Sequence, residues 1–341
     1  MAIDWKSPYS ASWHVRKVDG LTWDASEELR GIIDVTVSRD AGSALLESVT
    51  LTMDMGVAET IPSGWWRVTA DAVQGGTSES VNIATFAMVD ASGTWERGLR
   101  TVSATGLSVL YPASVRHLGK GSYAPMGADG AAWAVDMLSQ CIAAPVSAAG
   151  SFVLSRHVVF DAESTYLDAV RLLLDAAGWR LRVNGRGEVL VCPPATEAGL
   201  EVTPANVMDG IGYDDGTADI PNTYTAIEDG RTVQAVNDDP NSQTSTVSRG
   251  IIVDVIDASP VRIDNESLEA YAQRKLDEAR TGTLRSYSYE RDFAADTVPG
   301  DLVHANVPQA GLDSVLRVKS QTIKCAAGMI VEETADLEGI A

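Results

Sequence analysis

The sequence predicts a mainly β protein with α+β insertions: two β-barrel-like domains, residues 1–118 and 198–341, flanking a smaller helix-plus-hairpin domain, residues 119–197. Three observations lead there. Apolar residues alternate with polar ones along 31–118, a capped helix followed by a hairpin occupies 165–191, and alternation then returns until a closing hairpin ends the chain.

Taken in order, Gly31–Arg39 sets Ile33, Val35 and Val37 against polar neighbours, the pattern of a half-buried strand. Ser48–Met55 repeats it with Val49, Leu51, Met53 and Met55, and Trp65–Val68, Val81–Val89 and Arg100–Ser103 continue it. Turn-rich stretches such as Gln74–Thr77 separate these runs at short spacing, as in a barrel or sandwich. The character changes near residue 119. Asp129 stands where it can cap a helix over Ala131–Leu138. A stronger helix runs over Thr165–Ala177, with Leu167, Val170 and Leu174 on one face, Thr165 and Asp168 spaced for a capping box, and Gly178 at the left-handed end. Trp179–Val183 and Glu188–Val191, joined by Asn184-Gly185-Arg186-Gly187, read as a hairpin.

From residue 198 the β pattern resumes. Asn222–Ile227 and Arg231–Val236 read as strands around Glu228-Asp229-Gly230, and a helix is expected over Ser267–Arg280, an insertion spanning about 265–282. Arg285–Arg291, Leu302–Val307, Val315–Lys324 and Met329–Leu337 complete the strands, the last two joined through Ala326-Ala327-Gly328.

Of the 341 residues 45% are hydrophobic and 21% charged, enough for a substantial core. Lys plus Arg number 26 against 47 Asp plus Glu, a formal charge of −21. Nucleic-acid readers draw affinity from cations that displace phosphate counterions, so this balance argues against a DNA or RNA reader. Cys141, Cys192 and Cys325 are widely spaced and odd in number, and read as reduced, buried thiols. Met1–Lys6 shows no basic stretch before an apolar core, so synthesis and assembly in a cytosol are expected. The uncharged run Met137–Ser155 contains Gln140, Pro145 and Gly150, which suit a helix end and a loop better than a membrane span.

The chemistry-bearing patterns are weak. His14, His117, His157 and His304 lack metal-ligand spacing. Gly119-Lys120-Gly121-Ser122 lacks the first glycine of a phosphate loop and reads as a loop. Asp209–Gly216 does not match calcium-loop spacing and reads as an acidic turn. No GxSxG occurs. The expectation is no catalytic, cofactor-binding or metal-binding residue, and no cofactor.

The order of elements nevertheless resembles a known family. Residues 31–56, Val81–Ser103 with Ala84-Thr85-Phe86, and Gly106–Leu110 resemble the first tube domain of phage tail hub, or baseplate hub, proteins. Ser164–Trp179 with its hairpin is similar to that family's second domain, and the ending, a helix followed by Asp296–Val303 with Pro299-Gly300-Asp301 and a closing hairpin, is similar to its last barrel. The resemblance implies two tube-forming β domains per subunit and a homotrimer forming a pseudo-sixfold ring. It also implies tail or tube proteins on one side, tip, fibre or tape-measure proteins on the other, and transient passage of DNA without stable membrane insertion. The place implied is the tail tip of a virion assembled in a bacterial cytoplasm.

Two expectations follow. Alternating strands leave unpaired edges on a lone subunit, so Ile33–Val37 and Val49–Met55 are expected to help build a wall shared between subunits. Part of the acidic excess is expected to face the channel and repel phosphate, with Asp209–Asp219 and Asn237–Asp239 as candidate loops. Two other classes compete: a tail-associated wall-degrading enzyme, whose carboxylate pair the sequence does not single out, and a carbohydrate- or receptor-binding tip module using Trp65-Trp66.

Overall fold

The computed structural model describes residues 9–54, 63–96, 99–216, 220–281, 285–325 and 329–338. The opening strands are β1 (Ser10–Val18), β2 (Ala25–Glu28), β3 (Ile32–Asp40), β4 (Glu47–Asp54), β5 (Trp65–Gln74), β6 (Thr77–Glu96) and β7 (Leu99–Ser108). Alternation does its work in β3 and β4, where Val35, Val37, Val49, Leu51 and Met53 are fully buried. Ile33 departs from the expected stripe, because an irregularity between Ile32 and Asp34 turns it to solvent. Met55 lies outside the described residues.

Strand β6 is long because it serves two neighbours. Thr77–Ala87 pairs with β5 and Phe86–Glu96 with β7, so the sheet turns over at this strand. Phe86 stands at the changeover, fully buried, and its ring lies across Gly106 of β7. A Cβ at Gly106 would sit 2.0 Å from that ring, which explains glycine inside a strand. One core then gathers Val15, Val68 and Ile83 from one side and Val37, Leu51 and Val102 from the other.

The middle of the chain carries α1 (Tyr111–Val115), β8 (Tyr123–Ala124), α2 (Gly130–Ser139), β9 (Val146–Ala148), β10 (Val158–Val159), α3 (Tyr166–Ala177), β11 (Arg180–Val183) and β12 (Val189–Cys192). Asp129 accepts from the Ala131 and Ala132 N–H groups, and Thr165 and Asp168 form the reciprocal capping box. Gly178 ends α3 at φ 66°, and Leu167, Val170, Leu173 and Leu174 seat the helix in the core that α2, β11 and β12 share. The run Met137–Ser155 is a helix end, a turn and a short strand; among the described residues no helix is long and apolar enough to cross a membrane.

The last third comprises β13 (Ala198–Val202), β14 (Val207–Asp214), β15 (Thr223–Glu228), β16 (Arg231–Val236), α4 (Thr246–Arg249), β17 (Asp254–Asp257), α5 (Leu268–Thr281), β18 (Ser286–Asp292), β19 (Leu302–Val307), β20 (Leu312–Lys324) and β21 (Ile330–Leu337). The expected acidic turn at Asp209–Gly216 is corrected: Val207–Asp214 is a strand paired with β18. Its glycines read as turn residues, but Gly210, at φ 98°, marks a bulge between Val207 and Ile211 rather than a reversal. The insertion holds more than its helix. A sheet ordered β16-β15-β17 packs Tyr224 and Ala226 against Leu268, Tyr271 and Leu276 of α5. The Ala326–Gly328 connection lies outside the described residues.

The opening and closing strands are one sheet. β20 pairs antiparallel with β3, from Ser320 opposite Asp40 to Lys324 opposite Thr36, and this joint makes a 13-stranded sheet. The expected role of Ile33–Val37 and Val49–Met55 at a subunit boundary is thereby corrected. Strand β3 lies between β4 and β20, and β4 between β3 and β7, so the chain covers their edges itself. The pairing joins residues nearly the whole chain apart, where periodicity carries no information.

Candidate assembly wall

The joint is built around a buried polar row. Cross-strand register sets Glu47, Arg39, Gln321, Glu333 and Tyr289 side by side on β4, β3, β20, β21 and β18. All five are nearly inaccessible. Arg39 Nε donates to Glu47 Oε2 at 2.8 Å, Gln321 Nε2 to Glu333 Oε2 at 2.8 Å, and Tyr289 Oη to Glu333 Oε1 at 2.6 Å. Arg291, 1% exposed, donates to Glu333 Oε2 from Nη2 at 2.6 Å. Burial pushes the Glu47 carboxyl above its usual range against the pull of Arg39, and burial with the Glu333 charge raises the Tyr289 hydroxyl. A buried ion pair gains little over apolar packing, but removing one partner strands the other charge. The row thus penalises any displacement of the closing strands against the opening ones.

The hairpin between β11 and β12 locks onto both halves. Its tip reaches the opening strands: Arg67 Nη2 donates to the Arg186 carbonyl at 3.0 Å, Trp23 Nε1 to the same oxygen at 2.7 Å, and Thr85 Oγ1 to the Gly185 carbonyl at 3.0 Å. A Cβ at Gly185 would lie 1.9 Å from the Asn82 carbonyl oxygen, so this glycine answers a close approach, not only a turn. At its other end Arg180 donates to Asp301 Oδ1 at 2.7 Å and Arg182 to Asp301 Oδ2 at 3.2 Å. Burial opposes charge on Asp301, yet those two guanidiniums and the Val298 N–H hold its carboxyl below the usual carboxylate range.

The other face of the joined sheet is open and built of short polar side chains. One cross-strand row reads Asp90, Thr105, Thr50, Thr36 and Lys324 across β6, β7, β4, β3 and β20. The next rows set Ser92 beside Ser103 and Thr52, and Ser38 beside Ser48 and Thr322. Further along, Asp40, Ser320, Thr334 and Ser288 stand in line, flanked by Glu332 beside Glu290. Lys324 is bonded to Glu332, and Arg317 donates to Glu338 Oε1 at 2.6 Å. The face therefore presents hydroxyls and carboxylates, with these cations neutralised.

Other residues singled out in the sequence take structural places. Trp66 is buried and Trp65 packs on Trp23, ring centroids 5.6 Å apart, so this pair serves the core. His14 bonds to Glu28 at 2.9 Å, and His304 to Asp313 at 3.0 Å. Among the described residues no group of three or more His, Cys, Asp or Glu is placed to hold a metal. Cys192 and Cys325 are buried, Cys325 with its thiol pushed up to about 12, whereas Cys141 is only half-buried; all three are free. Gly119–Ser122 is a turn with both glycines at positive φ. Asn237–Asp239 lies in the insertion, where the Asn237 N–H donates to the Asn222 carbonyl at 2.8 Å. The other acidic segment ends at Asp219, and residues 217–219 lie outside the described residues.

No protein-family model matches the sequence, and neither does any curated protein. Solved structures do. The tail protein of Neisseria meningitidis MC58 is similar over 98% of both chains, at 15% identity and a TM-score of 0.69. The 43 kDa tail protein of prophage MuSo2 from Shewanella oneidensis is similar over 95% of this chain and 97% of its own, at 11% identity and a TM-score of 0.68. An Escherichia coli type VI secretion component, itself described as similar to phage T4 tail proteins, matches 91% of this chain and 74% of its own at 8% identity, with a TM-score of 0.50. The fold is shared with phage-type tail proteins and with this type VI secretion component.

Proposed function

We propose that this chain is a structural hub of a phage-type tail tip, a non-enzymatic part in which three copies form a pseudo-sixfold ring around a passage for DNA. In this reading residues 1–118 and 198–341 supply two tube-type units per copy, and residues 119–197 the α+β unit between them. Tube proteins abut one side and tip, fibre or tape-measure proteins the other, in a virion tail assembled in a bacterial cytoplasm.

One observation carries the reading: opening and closing strands, distant in sequence, merge into a single wall with a fully packed side and an open hydroxyl-and-carboxylate side. A polyanion binds where cations can displace its counterions. A wall of carboxylates, short hydroxyls and neutralised cations gives it no such foothold, which suits passage. In this reading Asp90, Asp40, Glu332 and Glu290 of the sheet supply channel-facing acid. Native mass spectrometry of the full chain and electron microscopy of isolated tails test the ring. Three copies per particle on a threefold axis are expected; a strictly monomeric chain, in solution and in tails, overturns it.

A further inference from the structure

Two buried polar atoms beside the joint lack a protein partner, and the side chains that carry them line adjoining cavities. Among the described residues Glu47 Oε1 and Arg180 Nε have almost no exposed surface and no hydrogen-bond partner. Glu47 gives its other oxygen to Arg39 Nε at 2.8 Å. Arg180 uses its terminal nitrogens, donating to the Pro299 carbonyl at 3.1 Å and to Asp301 Oδ1 at 2.7 Å. Native proteins rarely leave such atoms unbonded, and where a polar cavity adjoins them the ordinary partner is an internal water.

The smaller cavity, of about 20 Å³, lies where three parts of the chain meet. Its walls include Leu46 and Glu47 where β4 begins, Leu181 and Val183 of β11, and Val298 and Pro299 of the turn before β19. That volume holds one water molecule. Arg39 and Arg182 line it as well, so a water there can donate to Glu47 Oε1 and accept from a guanidinium. The second cavity, of about 90 Å³, shares Leu46, Leu181 and Pro299 with the first and is lined by Arg180. It has room for several waters. Arg171 and the exposed Asp175 of α3 also line it, which gives solvent an entry. We propose that a short file of internal water occupies both cavities and runs from Glu47 Oε1 to Arg180 Nε. Glu47 belongs to the buried polar row and Arg180 to the pair that grips Asp301. The file therefore makes one network of the row, the hairpin and the closing turn, and couples hairpin to joint through bound solvent. This inference concerns a single copy and stands independently of the ring.

Two measurements on the full chain test it. A crystal structure at atomic resolution should place one ordered water within about 3.2 Å of Glu47 Oε1 and another within about 3.2 Å of Arg180 Nε. Cavities without water, or protein groups bonded to those two atoms, overturn the file. The second measurement is the sign of a shift in the urea midpoint. Val183→Ile adds one methylene group to the wall of the smaller cavity. In a hydrated cavity it displaces the partner of Glu47, and the midpoint should fall. Combined with Arg39→Met and Glu47→Met, which replace the ion pair by apolar side chains, the same change should leave the midpoint where it is or raise it. An equal fall in both backgrounds assigns the effect to overpacking and overturns the water at Glu47. A rise in the parent chain shows a dry cavity and overturns it as well.

Discussion

The closing strands and the 220–281 insertion are both attached to the rest of the molecule, but by different physics. β20 joins β3 through backbone pairing and a polar row almost wholly shut off from water. The insertion is attached by a narrower seam: Glu228 bonds to Arg156, Lys275 Nζ donates to the Asp175 carbonyl at 2.9 Å, Ile263 bridges Leu154, and Val261 is buried in the core of the middle of the chain. Its apolar core of Tyr224, Tyr271 and Leu276 is its own. A buried joint cannot open by degrees, because every step exposes or strands a charge, whereas a seam of a few partly exposed polar contacts and one short bridge costs less to open. The contrast teaches that the first and last strands unfold as one body, while the insertion can open locally.

The sharpest way to break that comparison is Arg291→Met. It leaves Glu333 buried without its main cation and should lower global stability by about 3–5 kcal/mol in urea denaturation, in a single transition. Two separated transitions in the parent chain would show that the joint does not unite the halves. Gly185→Ala comes next: a methyl group forced against the Asn82 carbonyl should cost about 1–3 kcal/mol and loosen the hairpin tip, read by the same titration. Glu228→Gln should act on the insertion alone, at about 1–2 kcal/mol, seen as faster amide exchange within 220–281 while β3 and β20 stay protected.

The smallest effect is one of pH. Since the folded Asp301 carboxyl lies below its ordinary value of 3.8, its contribution is present above that value and is lost as pH falls through the folded one. Asp301→Asn should therefore differ from the parent chain at neutral pH and converge with it in acid, measured as denaturation midpoints across the series. A constant difference down to about pH 2 would assign the effect to packing instead.

How far the molecule was legible follows a physical line. Elements whose signals are local were readable: the Thr165–Asp168 box, the Gly178 end, the β11–β12 hairpin, and the Asp229-Gly230 turn, whose residues sit at φ 50° and 77°. The candidate wall was not, since its parts lie on strands that sequence order separates. Arg39, Glu47, Arg291 and Glu333 read as surface charges until strand pairing closes over them, and Ser and Thr read as the solvent side of a strand without saying which strands lie next to it. β1 escaped notice because Ser10–Val18 mixes Trp, His, Arg and Lys, and becomes a strand by pairing residue for residue with β5.

By itself the sequence determined the β-rich class, the helix-and-hairpin unit and the acidic balance, because propensity, capping and alternation act over a few residues. Only the tertiary structure decided that β3 meets β20, that β6 divides between two partners, and that Gly185 and Gly106 leave room for a carbonyl and a ring. Those outcomes depend on which distant surfaces complement each other, and that information is spread over the whole chain instead of residing in any stretch of it.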